Sequence, residues 1–383
     1  MKFASLIFAN FKRHKLRTSL TVLSIIVAFV LFGYLAAIRK AFEMGVSVAG
    51  ANRLIVRHKI SLIQPLPQSY EAQIEGIPGV ADATQASWFG GVYNDKPNAF
   101  AQIAVVPAEF LVTYPEYKLP PEQKKAWLAT RTGAIAGRTI AERYGWKVGQ
   151  RIPIEATFQR PKVGNTWTFD LVGIYDGETK ETDTTSFFFR HDYLDENRFR
   201  GNGLTGWYYI RIQDPKNAER IAAAIDAKFA NSPAETKTET EKAFVKGFAE
   251  QMGNIAAITM AILTAVFFTI LLVAGNTMAQ AVRERTGELG VLKAIGFTDG
   301  QVLGMVISES MLIALLGGAI GLALGWLFVS AGDPTKGALP VFFFPPSDLI
   351  IGIVMVVLLG LVTGAMPAIQ AMRLNAVEAL RRE

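Results

Sequence analysis

Few residues of this chain have types and spacings that could do chemistry. There is no cysteine, so thiolate nucleophiles, thiolate metal sites and disulfides are excluded. The histidines His14, His58 and His191 stand far apart in sequence, which argues against a histidine metal cluster and for surface or interface roles. Carboxylates are dense between 170 and 196, where Asp170, Asp176, Glu178, Glu181, Asp183, Asp192, Asp195 and Glu196 could supply an acid–base pair; an exposed acidic face explains them at least as well. The stretch Gly45-Val46-Ser47-Val48-Ala49 falls one residue short of G-x-S-x-G and follows an apolar run instead of a strand. Gly133, Gly137, Gly145 and Gly149 lack the spacing of a phosphate-cradling loop and read as turns. No G-x-x-x-x-G-K-[ST] occurs, so the chain is not a P-loop ATPase by itself. The expectation is a non-catalytic chain with no metal and no cofactor of its own.

Two features remain. Glu309 is the single charge in the apolar stretch 302–330, and a carboxylate in lipid is costly enough to be a functional candidate by default. It lies about two turns into that stretch, near enough to the start to pair with the charged segment before it; transport of an ion is the second reading. That segment, AVRERTGELGVLKAIGF at 281–297, carries Arg285, places Leu289, Leu292 and Ile295 three residues apart with Glu288 and Lys293 on other faces, and ends on Gly296 and Phe297 before the turn TDG. The spacing predicts a short amphipathic helix. Exposed between two spans, such a helix can dock in a groove of a soluble partner and pass motion to a bundle; the plainer reading is an interfacial loop on lipid headgroups.

The elements that position these residues are apolar helices. The chain has 383 residues, 50% hydrophobic and 19% charged, with a mean hydropathy of +0.26, more apolar than a soluble domain of that length needs. A spanning helix takes about 20 predominantly apolar residues, and four segments qualify: 18–40, 251–282, 302–330 and 349–372. Glycines repeat every four residues in two of them, as Gly317, Gly321 and Gly325 and as Gly360 and Gly364. Small residues so spaced let helices approach closely; two such rows on consecutive spans argue for a tight helical pair, with a subunit interface as the sharper reading.

Lysine and arginine in short flanks tend to stay on the cytoplasmic side. They crowd the N-terminal segment 1–17 (Lys2, Lys12, Arg13, Lys15, Arg17), the 283–301 loop (Arg283, Arg285, Lys293) and the tail 373–383 (Arg373, Arg381, Arg382), whereas the 331–348 hairpin has only Lys336. Both termini and the 283–301 loop are therefore expected in the cytoplasm, and residues 41–250 and the hairpin outside. The net charge of +6 lies beside spans, which suits anionic lipid instead of nucleic acid. Phe3, Ile7 and Phe11 stand at helical spacing ahead of the N-terminal cations, as in a helix lying on the inner surface.

Residues 41–250 are long enough for a folded domain with its own core. NRLIVR, SYEAQIEGI and VADATQASW read as strand, helix, strand, and WYYIRI, the 215–229 segment and the 235–240 segment repeat that order. The prediction is an α/β subdomain made of 41–96 and 201–250, interrupted by a β-rich insertion at 97–200 with the strands AQIAVV, GAIAG, RIPIEATF, WTFDLVGIY and TSFFFR and one short helix, TIAERYG. The fold class expected is thus an α-helical membrane protein with four transmembrane helices and a large extracytoplasmic α+β domain, two βαβ units with a β-rich insertion, between the first two.

With these elements in place a resemblance becomes visible. Glu288-Leu289-Gly290-Val291-Leu292-Lys293-Ala294-Ile295-Gly296-Phe297, then Glu309 and GGAIGLALG, resembles the pattern of the MacB-like/FtsX-like permeases of ABC transporters. The tail from Pro367 through Ala371-Met372-Arg373-Leu374-Asn375-Ala376-Val377-Glu378-Ala379-Leu380-Arg381 is similar to that family's closing motif, with Asn375 and Ala376 where aspartate and proline are common. IPGV and AIAGRTIAERYGWKVGQRI resemble its outer domain. The resemblance implies a homodimer or a heterodimer with a related permease, and a separate ABC ATPase subunit that binds ATP and Mg and docks on 283–297. Its motion would be transmitted to the outer domain for export, with a periplasmic adaptor and an outer-membrane channel as further partners in a Gram-negative cell. Lipoprotein or lipid extraction, with Trp88, Phe89, Phe187, Phe188 and Phe189 as an apolar path, and mechanical signalling to a cell-wall hydrolase or sensor are the alternatives within the superfamily. The second span, uncharged from Gln251 onward, is the expected long transmitting helix.

Overall fold

The computed structural model describes residues 15–48, 50–94, 96–97, 100–179, 181–251, 255–332 and 342–373. The amphipathic reading of residues 1–14, the centre of the 331–348 hairpin and the tail motif beyond Arg373 lie outside these residues. The chain divides into two units, Met1–Lys40 with Ile255–Gly332 and Phe342–Glu383, and Ala41–Asn254 with Asp333–Val341.

Four helices of the first unit are long and apolar enough to cross a membrane: Lys15–Ala41, Ala257–Glu284, Asp299–Ser330 and Pro346–Met372. The whole first helix runs Lys15–Val48, 34 residues, against 30 for the second, Ile255–Glu284. Among the described residues the first is therefore the longest of the four; the uncharged stretch expected to form a long second helix begins at Gln251, and residues 252–254 lie outside the described residues. Ile25, Phe29 and Phe32 of the first helix meet Ile270 and Met278 of the second, Ile313 and Leu322 of the third, and Val356 and Leu359 of the fourth in one core. The second helix is the least buried of the four.

The second unit is built on interleaved strand–helix–strand units. Arg53–His58 leads through the helix Tyr70–Glu75 to Val80–Trp88, and Trp207–Ile212 leads through Ala218–Lys228 to Thr236–Thr240. Trp207–Ile212 lies between Arg53–His58 and Val80–Trp88, antiparallel to both, and Thr236–Thr240 is antiparallel to the far side of Arg53–His58. Each helix thus crosses over one strand to reach a parallel neighbour, the split βαβ arrangement. The insertion does not form a separate sheet. Val80–Trp88 pairs with Ala101–Val105, and the order continues through Ser186–Arg190, Gly133–Gly137, Thr166–Gly177 and Arg151–Glu155.

Strand periodicity assigns the side chains to opposite faces. Leu54 and Val56 join Tyr70, Ile74, Ile221, Ile225 and Phe229 under the two crossover helices, while Ile55 between them faces the cluster of Tyr114, Trp127, Tyr175 and Phe188. In the insertion Phe187 and Phe189 enter one core with Phe89, Trp167 and Phe169, and Phe188 enters the other. The insertion also holds helices that the strand-rich reading did not include: Pro107–Thr113, Pro121–Ala129 and His191–Asn197. Of the four glycines read as turns, Gly145 and Gly149 have φ of +66° and +94°, the left-handed region glycine favours. Gly133 and Gly137 instead end a buried strand, and a Cβ on Gly137 would stand 2.0 Å from the Thr184 carbonyl oxygen.

Candidate coupling site

The segment between the second and third membrane helices forms a nine-residue helix, Thr286–Ala294. Its C-terminus is closed by glycine chemistry: Gly296 has φ of +105°, its N–H donates to the Lys293 carbonyl at 3.1 Å, and the Phe297 N–H donates to the Leu292 carbonyl at 3.1 Å. A β-carbon is strained at that φ. The third helix then starts on a capping box, with the Thr298 hydroxyl accepting from the Gln301 N–H and the Gln301 side chain accepting from the Thr298 N–H.

Ion pairs tie both ends of this helix to the bundle. Arg285 Nη1 donates to Glu309 Oε2 at 2.7 Å, and Arg285 Nε stands 3.5 Å from Glu288 Oε2. Glu309, the one charge of its stretch, thereby has a cation beside it, which offsets part of its desolvation. Lys293 Nζ donates to the carbonyl of Met372, the last residue of the fourth helix, at 2.5 Å, where a cation complements the helix dipole, and pairs with Asp299 Oδ1 at 2.7 Å.

The apolar residues of the segment divide between two sides. Leu289 is 1% exposed against Val282, Val302, Val306, Ala368 and Ala371, with Leu292 and Phe297 packed on the same cluster. Ile295 is 69% and Val291 48% exposed, and Glu288 is exposed beside them. The three-residue spacing grouped Leu289, Leu292 and Ile295 on one face, but the bundle itself covers the first two. Val291 was not singled out in the sequence; its place midway between Glu288 and Ala294 on the turn-by-turn spacing is the signal that marks it.

The glycine rows serve two different contacts. A Cβ on Gly317 would stand 2.8 Å from Ile25 Cβ, on Gly321 2.7 Å from Phe29 Cβ, and on Gly325 3.4 Å from the Phe29 carbonyl oxygen, so this row faces the first helix. Gly360 meets Met311 and Ala314, and Gly364 meets Ser310 and Ile307, on the third helix; the Ser310 hydroxyl donates to the Gly360 carbonyl at 2.6 Å. The third and fourth helices thus form the tight pair the repeats suggested, but through the second row, while the first row packs on the first helix. Gly318, one residue along from the first row, faces Val356 of the fourth helix, which is the step of about 100° expected between adjacent helical residues.

Several charge clusters gave no local signal in the sequence. Arg39 donates to Asp348 Oδ1 at 2.7 Å and Oδ2 at 2.9 Å, and Arg17 to Glu284 Oε2 at 2.6 Å. In the second unit Arg53, 6% exposed, donates through Nε to Glu241 Oε2 at 2.5 Å and through Nη1 to the Thr113 carbonyl at 3.2 Å, and its Nη2 is 2.8 Å from Glu116 Oε1. Its guanidinium lies 4.3 Å from the Tyr114 ring centroid. Glu241 also accepts from the Tyr114 hydroxyl at 2.8 Å and from the Gly50 N–H at 2.9 Å. Burial works against the Arg53 charge, but Glu241, Tyr114 and Glu116 outweigh it and raise its pKa.

Elsewhere in that unit, burial beside Glu109, Glu75 and Asp82 lifts the Glu71 carboxyl to about 7, against the lowering effect of the hydrogen bond donated by Gln85. Burial, with Arg198 nearby, lowers His191 to about 4. The carboxylates of 170–196 are largely spent on cations: Asp176 with Arg138 at 2.8 Å, Asp170 with Arg151 at 3.2 Å, Asp192 with Arg190 at 2.6 Å, and Glu196 with Arg131. Of the aromatics considered as an apolar path, Phe89, Phe187, Phe188 and Phe189 are buried in the cores, and Trp88 is 42% exposed.

A bundle of four apolar helices with a split βαβ domain between the first two defines a multi-pass membrane protein whose soluble bulk is one excursion. Two family models divide the chain along those lines: the MacB-like periplasmic core domain matches residues 18–228 and the FtsX-like permease C-terminal matches 255–376. The first match spans more than half of the sequence, and the chain belongs to the MacB-like/FtsX-like permeases of ABC transporters. An uncharacterized ABC transporter permease of Methanocaldococcus jannaschii is 22% identical, over 98% of this chain and 96% of its own length. The uncharacterized ABC transporter permease YknZ of Bacillus subtilis is 28% identical over 56% of this chain and 54% of its own. The macrolide export ATP-binding/permease protein MacB of Shewanella oneidensis is 35% identical over 33% of this chain, which covers 20% of that protein. The chain thus spans nearly all of the first relative, about half of the second and a fifth of the third.

Proposed function

We propose that this permease works with a separate ABC ATPase subunit, which binds ATP and Mg, and converts its cycle into movement of the large domain for export. One observation carries the reading. The helix Thr286–Ala294 turns Val291 and Ile295 outward while Arg285 and Lys293 fasten its ends to the third and fourth membrane helices. A partner that grips the exposed side chains therefore pulls on two spans at once. The name of the Shewanella relative, an export protein with ATP-binding and permease parts, supports the direction and the coupling to an ATPase; these 383 residues hold no P-loop sequence. In this reading the 283–301 segment and both termini are cytoplasmic, the large domain lies outside the inner membrane, and the permease pairs with a second copy or a related permease, with a periplasmic adaptor and outer-membrane channel in a Gram-negative cell.

Purification of the full chain from its native membrane in mild detergent tests this. The expected result is a copurifying ATPase subunit, with ATP hydrolysis that changes when the permease is present, and a strain lacking the permease that becomes more sensitive to exported compounds. Recovery of the folded chain without any ATPase would reject the coupling role; an ATPase together with a hydrolase or sensor and no sensitivity change would reject export.

A further inference from the structure

The large domain receives the chain just after the first membrane helix, at Gly50, and returns it toward the second through the helix Glu241–Gln251. These two ends lie side by side. Leu54 pairs with Thr240, so Arg53 and Glu241 follow as the next opposed positions of an antiparallel pair. The insertion meets them there. Glu241, 8% exposed, divides its carboxylate between two parts of the domain. Oε2 accepts from the Gly50 N–H at 2.9 Å and from Arg53 Nε at 2.5 Å, both on the entry segment; Oε1 accepts from the Tyr114 hydroxyl of the insertion at 2.8 Å. Arg53 repeats the division, with Glu241 on one side and the Thr113 carbonyl and Glu116 of the insertion on the other. Phe244 of the exit helix packs on the cluster that holds Phe110 and Tyr114.

Among the described residues the sheet passes from the α/β subdomain to the insertion through one short ladder, in which Ala86, Ser87 and Trp88 pair with Val105, Ala104 and Ile103. Arg57 is level with Ala86 through Trp207. The ladder therefore starts about 13 Å further along the strands than Arg53, at the rise of a β-strand. Between the two levels lie the apolar side chains of Ile55, Trp207 and Phe188. Apolar contact has no direction of its own, so the orientation of the insertion is set by the polar links at its two levels.

We propose that Glu241 is a positioning residue: its carboxylate fixes the insertion to both ends of the large domain, so that movement delivered at those ends carries the insertion with them instead of tilting it about the 86–88 ladder. The use made of this joint rests on the movement proposed above. The joint itself lies within the large domain and is tested without an ATPase.

Two spin labels read it, since the chain has no cysteine. Ala223→Cys places one on the exposed side of the helix Ala218–Lys228, and Lys125→Cys places the other on the helix Pro121–Ala129 of the insertion. Pulsed electron double resonance on the full-length chain in detergent should give one narrow distance distribution. Glu241→Ala, which leaves Arg53 its Glu116 and Thr113 partners, should broaden it about twofold, as non-directional contacts take over. Tyr114→Phe, which removes only the hydroxyl that reaches Glu241, should broaden it too, and decides alone if Glu241→Ala does not fold. Glu241→Gln, able to accept from Arg53 and donate to Tyr114, should restore the narrow width. Ile154→Ala, in the insertion's own core, should lower the unfolding midpoint and leave the width unchanged, which separates positioning from stability. Unchanged width in Glu241→Ala and Tyr114→Phe, or equal broadening in Ile154→Ala, would overturn the proposal. So would a distance that shifts between the nucleotide-free and ATP-bound states of the complex with the ATPase. Failure to recover an ATPase rejects the coupling role and leaves the label widths to decide the role of Glu241.

Discussion

The helix Thr286–Ala294 and the Arg53 cluster of the large domain both rest on arginine–glutamate pairs of similar length, yet they are organised in opposite ways. Around Arg53 every partner is turned inward: two carboxylates, a carbonyl and a tyrosine ring surround a guanidinium that is almost wholly buried. At the helix Thr286–Ala294 the contacts lie at the two ends, and Val291 and Ile295 are left in the open. The difference separates a contact that holds the fold from one that holds a surface ready. A buried ion cluster contributes by staying closed, because one lost partner strands the others without water; an exposed apolar pair on a fastened helix contributes only when something covers it.

Replacing Arg53 should have the largest effect. Arg53→Met leaves Glu241 and Glu116 facing an apolar side chain and is expected to cost about 3 to 5 kcal/mol, read as a lower urea midpoint of the large domain's transition in the full-length protein. Adding Glu241→Met should recover part of the loss. If the single variant unfolds at the wild-type midpoint, the cluster is not what holds this part of the fold.

Next comes the opposite surface. Ile295→Asp should leave stability within about 0.5 kcal/mol, as for exposed sites generally, while weakening ATPase association by about 2 kcal/mol, roughly thirtyfold, if Ile295 anchors the contact. Gly296 is a poorer probe despite its place in the motif, because its φ of +105° means that any substitution strains the turn itself. Leu292→Asp is poorer too, since Leu292 packs on the bundle.

The membrane glycines give a smaller, graded effect. Gly321→Ala places a methyl 2.7 Å from Phe29 Cβ and 2.8 Å from the Ile26 carbonyl oxygen, and should destabilise the bundle by about 1 to 3 kcal/mol. Gly304→Ala, with nothing within 4 Å of the added carbon, should be neutral or slightly stabilising in its helix. Equal thermal shifts for both in detergent would contradict the packing described.

The smallest effect concerns pH. Glu71 is raised to about 7 in the fold from an ordinary 4.5, so its folded form keeps a proton that the unfolded chain loses; stability present below pH 4.5 is lost as pH rises toward 7. His191, lowered to about 4 from 6.5, acts in the other direction, and its contribution is lost as pH falls from 6.5 to 4. Glu71→Gln should therefore raise stability at pH 7.5 by about 1 kcal/mol, a figure discounted for the partial exposure of the carboxyl, and leave the decline below pH 6.5 in place. A variant whose stability follows the wild-type pH profile throughout would show that Glu71 titrates normally.

Much of the architecture was legible because it is periodic. The alternation in NRLIVR and WYYIRI marked strands, and the spacing of Ile221, Ile225 and Phe229 marked the helix that became Ala218–Lys228. What could not be read was which strand lies beside which. Trp207–Ile212 entering between Arg53–His58 and Val80–Trp88 depends on pairings far apart in the chain. The helices Pro107–Thr113 and Pro121–Ala129 were missed for a local reason: each opens on a proline at its first turn, a position where proline starts helices but reads as a breaker. At the coupling segment, spacing correctly grouped Leu289 with Leu292 but could not say that Val302, Val306 and Ala368 of the spans would claim them. Pairs such as Arg39 with Asp348 leave no trace at the three- or four-residue separations that helix chemistry makes visible.

The central claim is that the outward side of Thr286–Ala294 is the face an ATPase covers. The chain has no cysteine, so a single Ile295→Cys can be labelled with a maleimide without background, beside a Leu289→Cys control that the bundle already buries. The measurement is the labelling rate at position 295 in the purified complex and after the ATPase has been stripped away. The account predicts slow labelling in the complex that rises at least tenfold once the ATPase is removed, with Leu289→Cys slow in both. Equal, fast labelling of Ile295→Cys with the ATPase bound would contradict it.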